Sequence, residues 1–310
     1  MNSHRLTAYL MLLGVSVIWG IAGPVIKFTL GEFPPLIFLS YRFAISSAIA
    51  LVYFTTTQTH IPTKSRDMGL VLLYSLFAVA IGLGLLFFGF DKTTSLTGSL
   101  LSAMAPLAVV AAGALFFREH VTGRERIGIT IAFAGTLFTV IAPLFNGHAG
   151  DLIGSIEGNG LIVASILVDT IATLLVKIIL RTRISAATLT HVSFVIGFFT
   201  IFPAALILHS WETIVATITH ASLAAHAGVW YMAILSGTLA YTLRNRAVKT
   251  IEVSEASIFS YLYPLWAAPF AILWLGEKLT FPFLVGAGVI AMGVGVAEWK
   301  KSRKRGRIRS

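Results

Sequence analysis

Ionisable side chains lie inside several long apolar stretches of this sequence, where an unbalanced charge is costly. Asp169 is near the middle of one stretch, and an unpaired carboxylate at the centre of a membrane costs about 3 kcal/mol on insertion scales. It must therefore be paired, hydrated or protonated. Asp169 is a candidate for proton coupling or for recognition of a cationic group, and the alternative is a structural ion pair with Arg42 or Lys177.

Arg42 and His191 also lie inside apolar stretches, nearer to their ends. The guanidinium group of Arg42 could hold a carboxylate or a phosphate through two parallel hydrogen bonds, or its side chain could extend to the membrane surface. His191 could transfer protons because the unperturbed pKa of histidine is near neutrality, or it could be a neutral residue hydrogen-bonded between helices. Asp169 and His191 are thus the two candidates for proton coupling.

Pro106 and Pro264 fall near the middles of two other apolar stretches. Each proline lacks a backbone donor and displaces the carbonyl group four residues earlier, which belongs to Ser102 or Ser260. We therefore predict two kinks or hinges that bring a serine hydroxyl and a freed carbonyl near the middle of the membrane. The alternative is a purely structural bend, since proline is common in membrane helices.

Residues around the second proline share a polar and aromatic face. Ser257, Ser260 and Tyr261 lie together at three- and four-residue helical spacing, as neighbours on one helix face do. By the same spacing, Tyr263 and Trp266 are predicted to point elsewhere, towards neighbouring helices or lipid.

The first apolar stretch carries Trp19, Gly20 and Lys27 along one stripe, in which glycine leaves room for a ligand or a neighbouring helix. Tyr241 is chosen for its depth in a later stretch. The full set of predicted cavity residues is Trp19, Lys27, Arg42, Ser102, Asp169, His191, Tyr241, Ser260 and Tyr261.

The stretches that position these residues are too apolar for a soluble fold. Of 310 residues, 56% are hydrophobic and only 12% are charged. Because lipid offers no partners for backbone polar groups, segments of this length are predicted to be transmembrane helices, and the first is expected to be retained rather than cleaved as a signal. Ten such segments occur, near residues 8–28, 34–55, 68–90, 95–117, 125–143, 159–180, 185–208, 226–243, 254–276 and 281–299.

The basic residues agree with ten spans. Eighteen of the 23 Lys and Arg residues lie in alternate connections on one side, and two, Lys92 and Lys278, lie on the other. The positive-inside rule then predicts cytoplasmic termini, in a protein of the prokaryotic inner (plasma) membrane. The net charge of +10 reflects this pattern and not a nucleic-acid partner. Because the chain has no cysteine, thiolate metal sites are excluded, and we expect no metal and no cofactor.

The second half of the sequence repeats the first. Residues 95–138 align without a gap on residues 253–296, and the matched pairs include Pro106 with Pro264 and Glu119 with Glu277. Five helices per copy is an odd number, so the second copy is predicted to be inverted in the membrane, as in many secondary transporters. The predicted organisation is two inverted five-helix repeats around a central cavity (1–145 and 159–299), an extracytoplasmic linker (146–158) and a basic cytoplasmic tail (300–310).

Two features of the repeat are expected to be structural. Glu119 and Glu277 close equivalent helices, and partners such as Arg124 or Lys278 are expected because a carboxylate is unfavourable at a helix carboxyl end. Glycines at equivalent positions on the last helix of each repeat are expected to allow close helix contact and to hold the scaffold rather than touch substrate. These glycines are Gly128, Gly135, Gly286 and Gly293.

Short motifs in this order resemble the EamA-type drug/metabolite transporter superfamily over residues 8–299. They are Trp19-Gly20 followed by Lys27, Tyr41-Arg42-Phe43, Pro106 with Glu119, and Pro264 with Gly276-Glu277. The resemblance implies a ten-helix basket in which helices 1 to 4 and 6 to 9 surround a cavity and helices 5 and 10 stand at its side. Family members often have a tryptophan in the sixth helix, where this sequence has Asp169.

The resemblance and the cavity residues together predict a secondary active transporter and not an enzyme. We expect export of small metabolites, such as amino acids or amphipathic toxic compounds, by alternating access, with proton coupling left open. The alternative is an importer or exchanger of sugars or nucleotide-linked sugars. An intramembrane enzyme is a remote alternative because the H-E-x-x-H and G-x-S-x-G patterns are missing. The expected partners are a small-molecule substrate and the lipid bilayer, and the oligomeric state is left open.

Overall fold

The computed structural model is helical almost throughout the residues that it describes, and no strand occurs among them. The described residues are 3–57, 65–117, 122–141, 154–182, 184–251, 256 and 258–298. The prediction of an all-α protein is therefore confirmed. Glu119, Ser257, the first part of the predicted linker (146–153) and the basic tail (300–310) lie outside the described residues, as does the side chain of Lys177.

Seven of the described helices are long and apolar enough to cross a membrane, and three further apolar helices are shorter. Each of the ten predicted spans contains one of them, so the chain is a membrane protein with multiple helical spans. The count of ten crossings stays a prediction. In chain order the helices are α1 (Ser3–Leu30), α2 (Pro35–Thr56), α3 (Ser65–Lys92), α4 (Ser95–Ser102), α5 (Ala105–Phe117), α6 (Gly123–Ile141), α7 (Ile156–Ile179), α8 (Ala186–Leu208), α9 (Trp211–His220), α10 (Leu223–Thr250), α11 (Tyr263–Leu273) and α12 (Phe281–Glu298).

Serine and threonine caps fix where several helices begin. In each case the side-chain oxygen accepts a hydrogen bond from the backbone N–H three residues later, which has no partner within its helix. The capping residues are Thr94, Ser155, Ser185, Ser210 and Ser222. These caps place the starts of α4, α7 and α10, which carry residues of the site described below.

Helical structure changes directly before each of the two prolines. α4 ends at Ser102, and Pro106 is the second residue of α5. In the second half a short 3₁₀ helix, Ile258–Leu262, precedes α11, whose second residue is Pro264. A proline near a helix start loses no hydrogen bond, because the first N–H groups lack helical partners anyway. The breaks thus coincide with the predicted kinks, while their use as hinges stays a prediction.

Two long helices contain a π-helical segment, in which backbone hydrogen bonds reach five residues back. The segments are Leu76–Gly82 in α3 and Tyr231–Leu239 in α10. A Cβ atom on Gly82 would lie 2.8 Å from the Phe77 carbonyl oxygen, and one on Gly237 would lie 2.9 Å from that of Met232. Each glycine therefore lets the wide turn form without a clash, and neither segment was predicted from the sequence.

Close packing of α6 against α12 uses the predicted glycines. A Cβ atom on Gly135 would lie 2.9 Å from Val289 Cγ1, and one on Gly293 would lie 2.5 Å from the Ala132 backbone nitrogen. Neither glycine could therefore carry a side chain without moving the two helices apart. This pair stands beside the rest of the bundle and contributes no residue to the cavity among the described lining residues.

Candidate functional site

A cavity lies between the two halves of the chain and contains about 1240 Å³ of space free of protein atoms, including the part open to solvent. Its described lining comes from α1 to α5 in the first half, and from α7, α10, the 3₁₀ helix and α11 in the second. α8, which was expected to surround the cavity, contributes no lining residue among those described. Six of the nine predicted cavity residues line it: Trp19, Arg42, Ser102, Asp169, Tyr241 and Ser260.

Trp19 anchors an aromatic wall of the cavity. Its indole Nε1 donates a hydrogen bond to the Ser236 carbonyl oxygen on α10 at 2.9 Å. Its ring meets the edges of Tyr241 and Tyr263, with centroids 5.0 and 6.4 Å away. Edge-to-face pairs of this kind are favourable beyond the area that they bury, so α1 holds a fixed aromatic surface against α10 and α11.

Asp169 belongs to a chain of hydrogen bonds that crosses the cavity wall. Arg244 Nη2 donates to Thr173 Oγ1 at 2.6 Å, and the Thr173 hydroxyl lies 3.5 Å from Asp169 Oδ2. The Arg244 guanidinium carbon is also 6.0 Å from the centre of the Trp19 ring, within the range of a cation–π contact. The carboxylate is thus connected to Arg244 through a hydroxyl group.

Of the two partners considered for a structural ion pair with Asp169, only Arg42 can be assessed, because the side chain of Lys177 lies outside the described residues. No salt bridge joins Asp169 to Arg42, although both residues are among those described and both line the cavity. The neighbouring cation is Arg244, which the topology count assigned to a cytoplasmic connection. α10 continues to Thr250, seven residues beyond the predicted end of its span, and therefore keeps Arg244 one turn below Tyr241 on the cavity side.

Arg42 is enclosed in the bundle, with 0% of its surface exposed. Its guanidinium carbon lies 5.6 Å from the ring centres of Phe43 and Phe87 and 5.9 Å from that of Phe194. Nε and Nη1 have no hydrogen-bond partner among the described residues. The side chain therefore does not extend to the membrane surface, and three aromatic faces supply part of the stabilisation that water would give.

Lys27 is not in the described lining of the cavity, contrary to the prediction. Its Nζ donates to the carbonyl oxygens of Phe90 and Asp91 at 3.0 and 2.9 Å. These carbonyls lie in the last turn of α3, where no helical N–H is available to them. The ammonium group thus caps α3 just beyond the cavity, because a lysine side chain is long enough to leave the stripe on which its Cα lies.

His191 was also predicted in the cavity and lies elsewhere. Its ring stacks on Tyr53 with centroids 4.3 Å apart, in the contact between α8 and α2. Only 5% of the residue is exposed, and Nδ1 has no hydrogen-bond partner among the described residues. The structure gives it neither a place in the cavity lining nor the predicted hydrogen bond between helices at Nδ1.

The prediction that Tyr261 faces the cavity and that Tyr263 points elsewhere was wrong. Ser260 and Tyr263 line the cavity, and Tyr261 is not among its lining residues. The cause is the 3₁₀ helix: with three residues per turn, residues three apart are aligned, so the α-helical face drawn from sequence is rotated. Trp266 turns towards α1, where Nε1 donates to Ser16 Oγ at 3.2 Å.

Beyond the Lys27 end of the cavity, Glu277 joins the two halves. Its two carboxylate oxygens accept hydrogen bonds from the Ser95 and Leu96 backbone nitrogens at 2.7 and 2.9 Å. These N–H groups begin α4, where they have no helical acceptor and where the helix dipole favours negative charge. For Glu277, a helix N-terminus thus takes the place of the expected partner Lys278, and the expectation for Glu119 lies outside the described residues. We call this the Glu277 contact.

Two further contacts lie in the connections near the same end. Lys92 and Glu157 form an exposed ion pair. Glu32 accepts hydrogen bonds from the Ser222 hydroxyl at 2.5 Å and from the Ser222 backbone nitrogen at 2.6 Å. These hydrogen bonds lower the pKa of the Glu32 carboxyl group below its ordinary value, and the bond from the hydroxyl has a larger effect than the bond from the backbone N–H. The first joins the end of α3 to the start of α7, and the second joins the connection after α1 to the residue that caps α10.

Comparison with known proteins agrees with this architecture. The sequence model of the EamA-like transporter family matches the chain twice, over residues 6–141 and 156–298. A solved crystal structure, described only as that of a protein, superposes with a TM-score of 0.64 over 99% of this chain and 100% of that chain, at 16% identity. The latter likeness shows a shared fold.

Curated relatives align over nearly the whole chain at low identity. The uncharacterized transporter YyaM of Bacillus subtilis (strain 168) is 25% identical over 304 residues, which cover 94% of this chain and 93% of that protein. A probable amino-acid metabolite efflux pump of Escherichia coli (strain K12) is 26% identical over 300 residues, covering 94% and 96%. With both halves matched by the family model and a cavity between them, the chain is a membrane transporter that belongs to the EamA-like transporter family.

Proposed function

We propose that this chain is a secondary active transporter that exports small metabolites, with amino acids as the leading class. The observation that carries the proposal is the cavity, whose lining combines charged side chains with an aromatic wall contributed by both halves. A pocket that is largely apolar with a few convergent polar groups is typical of small-molecule sites. The relative named as an amino-acid metabolite efflux pump supports the same direction and substrate class.

Transport proceeds by alternating access between the two halves. In this proposal residues 1–145 and 159–299 are inverted repeats that rock about the cavity, and the interruptions before Pro106 and Pro264 allow the bending. Both termini face the cytoplasm of a prokaryotic cell, as the distribution of basic residues favours. The Glu277 contact then closes the outer end of the cavity in the conformation described above.

Asp169 is the proposed proton-coupling residue. It is half-buried in the lining and reaches Arg244 through Thr173. Protonation would remove its negative charge and weaken that connection within the second half. Because Arg244 also contacts the Trp19 ring of the first half, the charge state of Asp169 can alter the balance between the halves. His191 is left out because it lies between α2 and α8, away from the cavity lining.

The test is transport of a metabolite panel in proteoliposomes, with and without a pH gradient, using purified wild type and Asp169→Asn. We expect the gradient to accelerate wild-type transport and to leave the variant unaffected. Glu212→Gln removes an exposed carboxylate at the start of α9 and serves as a control that should retain the response. A preserved gradient response in Asp169→Asn would contradict the coupling, and uptake of sugars alone would contradict the substrate class.

A further inference from the structure

We propose that Asp169 and Arg244 form a paired site for the two charges of an α-amino acid, with Asp169 binding the ammonium group and Arg244 the carboxylate. This inference rests on the proposed transport of small metabolites through the cavity. It identifies the groups that would select an amino acid over a neutral or singly charged compound.

Among the described lining residues, only Asp169 and Arg244 are both charged and accessible from the cavity. Two arginines and one aspartate line it. Arg42 has no exposed surface, whereas Asp169 and Arg244 are both half-buried. A substrate in the cavity can therefore reach one carboxylate and one guanidinium group without any rearrangement of the bundle.

The spacing of the pair suits charges that are close together. Arg244 Nη2 and Asp169 Oδ2 are no more than about 6 Å apart, because both contact the same Thr173 oxygen, at 2.6 and 3.5 Å. They nevertheless form no direct ion pair with each other. In an α-amino acid only one carbon atom separates the ammonium nitrogen from the carboxylate carbon, so a single molecule lying across Thr173 can meet both groups.

The neighbouring aromatic rings provide a place for the rest of such a molecule. Trp19 lies beside Arg244 with 6.0 Å between the guanidinium carbon and the ring centre. Tyr241, one turn before Arg244 on α10, meets the edge of the same ring. A ligand whose charged end contacts α7 and α10 therefore extends its side chain along α1, over a surface suited to apolar or aromatic groups.

Two hydrogen bonds keep this surface in position without using the charged groups. The Trp19 indole is held by the Ser236 carbonyl, and the Tyr231 hydroxyl donates to the Ile18 carbonyl oxygen at 2.7 Å. Both bonds connect α1 to the π-helical segment of α10. Both bonds remain when Asp169 or Arg244 is substituted, so the aromatic wall keeps them although Arg244→Gln removes the contact between Arg244 and Trp19.

The experiment measures binding to the purified full-length protein in detergent by titration calorimetry. The ligands are phenylalanine, phenylalaninamide, which lacks the carboxylate, and N-acetylphenylalanine, which lacks the ammonium group. We expect wild type to bind phenylalanine at least about tenfold more tightly than either derivative, because each charge-assisted hydrogen bond that is lost leaves a buried partner unpaired. Equal affinities for the three ligands, or no binding of any, would overturn the inference.

Two substitutions assign the charges. Arg244→Gln should weaken phenylalanine about tenfold or more and leave phenylalaninamide unchanged, since the amide has no carboxylate to lose. Asp169→Asn should weaken phenylalanine similarly and leave N-acetylphenylalanine unchanged. A merely structural role would weaken all three ligands together, which would refute the assignment. Arg246→Gln, an exposed position two residues further along α10, is the matched control and should bind as wild type does.

The outcomes separate this inference from the proposed function. Selective binding without flux in proteoliposomes would contradict transport and leave the paired site standing. Conversely, flux of amino acids with the same relative rates in wild type, Arg244→Gln and Asp169→Asn would refute the paired site and leave transport standing. If a variant does not fold, the affinities of the wild-type protein for the three ligands still test the paired site.

Discussion

The Glu277 contact predicts how readily one end of the cavity opens. Glu277 follows α11 in the second half, and its carboxylate holds the first two N–H groups of α4 in the first half, at 2.7 and 2.9 Å. Separation of the halves at this end must break both bonds. We therefore expect Glu277→Gln to favour the conformation in which this end is open.

The magnitude follows from the geometry. A glutamine carbonyl can accept one of the two N–H groups, while its amide nitrogen cannot accept the other, and the favourable charge at the helix start is lost. Loss of one charge-assisted bond and weakening of the second amount to about 2 kcal/mol, or roughly thirtyfold in the equilibrium. If the open conformation is about 1% populated in wild type, it rises to roughly a quarter in the variant.

The absence of cysteine from the chain makes the assay direct. Ser99 lines the cavity on α4 near this end, so Ser99→Cys provides a single thiol in wild-type and Glu277→Gln backgrounds. A membrane-impermeant thiol reagent, applied from each side of sealed vesicles in turn, should label the Glu277→Gln background roughly twentyfold faster from one side. The orientation predicted from the basic residues makes that side the extracytoplasmic one.

A matched control separates this effect from a general loss of charge. Glu157→Gln breaks the exposed ion pair with Lys92, and exposed pairs contribute at most about 1 kcal/mol. Labelling in that background should therefore change by less than about fivefold. Equal labelling rates in wild type and Glu277→Gln would refute the reasoning, because the contact would then be either absent in the membrane or preserved when the cavity opens.

Two further predictions concern stability. The hydrogen bonds from Ser222 lower the pKa of Glu32, so their contribution is present above the ordinary carboxyl pKa of 4.5 and is lost as pH falls through the lower folded value. The difference in Tm between wild type and Glu32→Gln should thus shrink between pH 6 and acidic pH, and a constant difference would contradict it. Gly20→Ala would place a Cβ atom 2.5 Å from Trp266 Cβ, so overpacking between α1 and α11 should destabilise the protein by about 1–3 kcal/mol. Thermal unfolding in detergent tests this against Gly14→Ala, where a Cβ atom meets nothing within 4 Å; equal Tm values would exclude the clash.

Cavity residues could be predicted from the sequence where their type is unusual within an apolar span. Trp19, Asp169 and Tyr241 stand out in apolar spans, and all three line the cavity. A polar group buried near mid-membrane, including a tryptophan N–H or a tyrosine hydroxyl, requires a partner or a cavity, which gives the inference a physical basis. The prolines likewise marked the places where helical structure changes, because the missing N–H acts locally.

Local backbone geometry explains why some residues of the site were misplaced or missed. Because of the 3₁₀ turn before α11, Tyr263 lines the cavity in place of Tyr261. No residue propensity in the sequence distinguishes one turn of 3₁₀ helix from α-helix. Arg244 was assigned to a connection because the apolar stretch ends where charged residues begin, although the helix itself continues to Thr250. Its spacing of three residues after Tyr241 is a signal that could have identified it.

The π-helical segments of α3 and α10 also relate the two halves of the chain. Each segment contains about one residue more than an α-helix of the same length. In each, a glycine packs against the carbonyl oxygen of the residue five positions earlier, Gly82 against Phe77 and Gly237 against Met232. The same family model matches both halves. The two segments lie in the third predicted span of each half, so the wide turn occurs at corresponding places in the two halves. The wide turn is therefore common to two halves that differ in carrying Trp19 in one and Asp169 in the other.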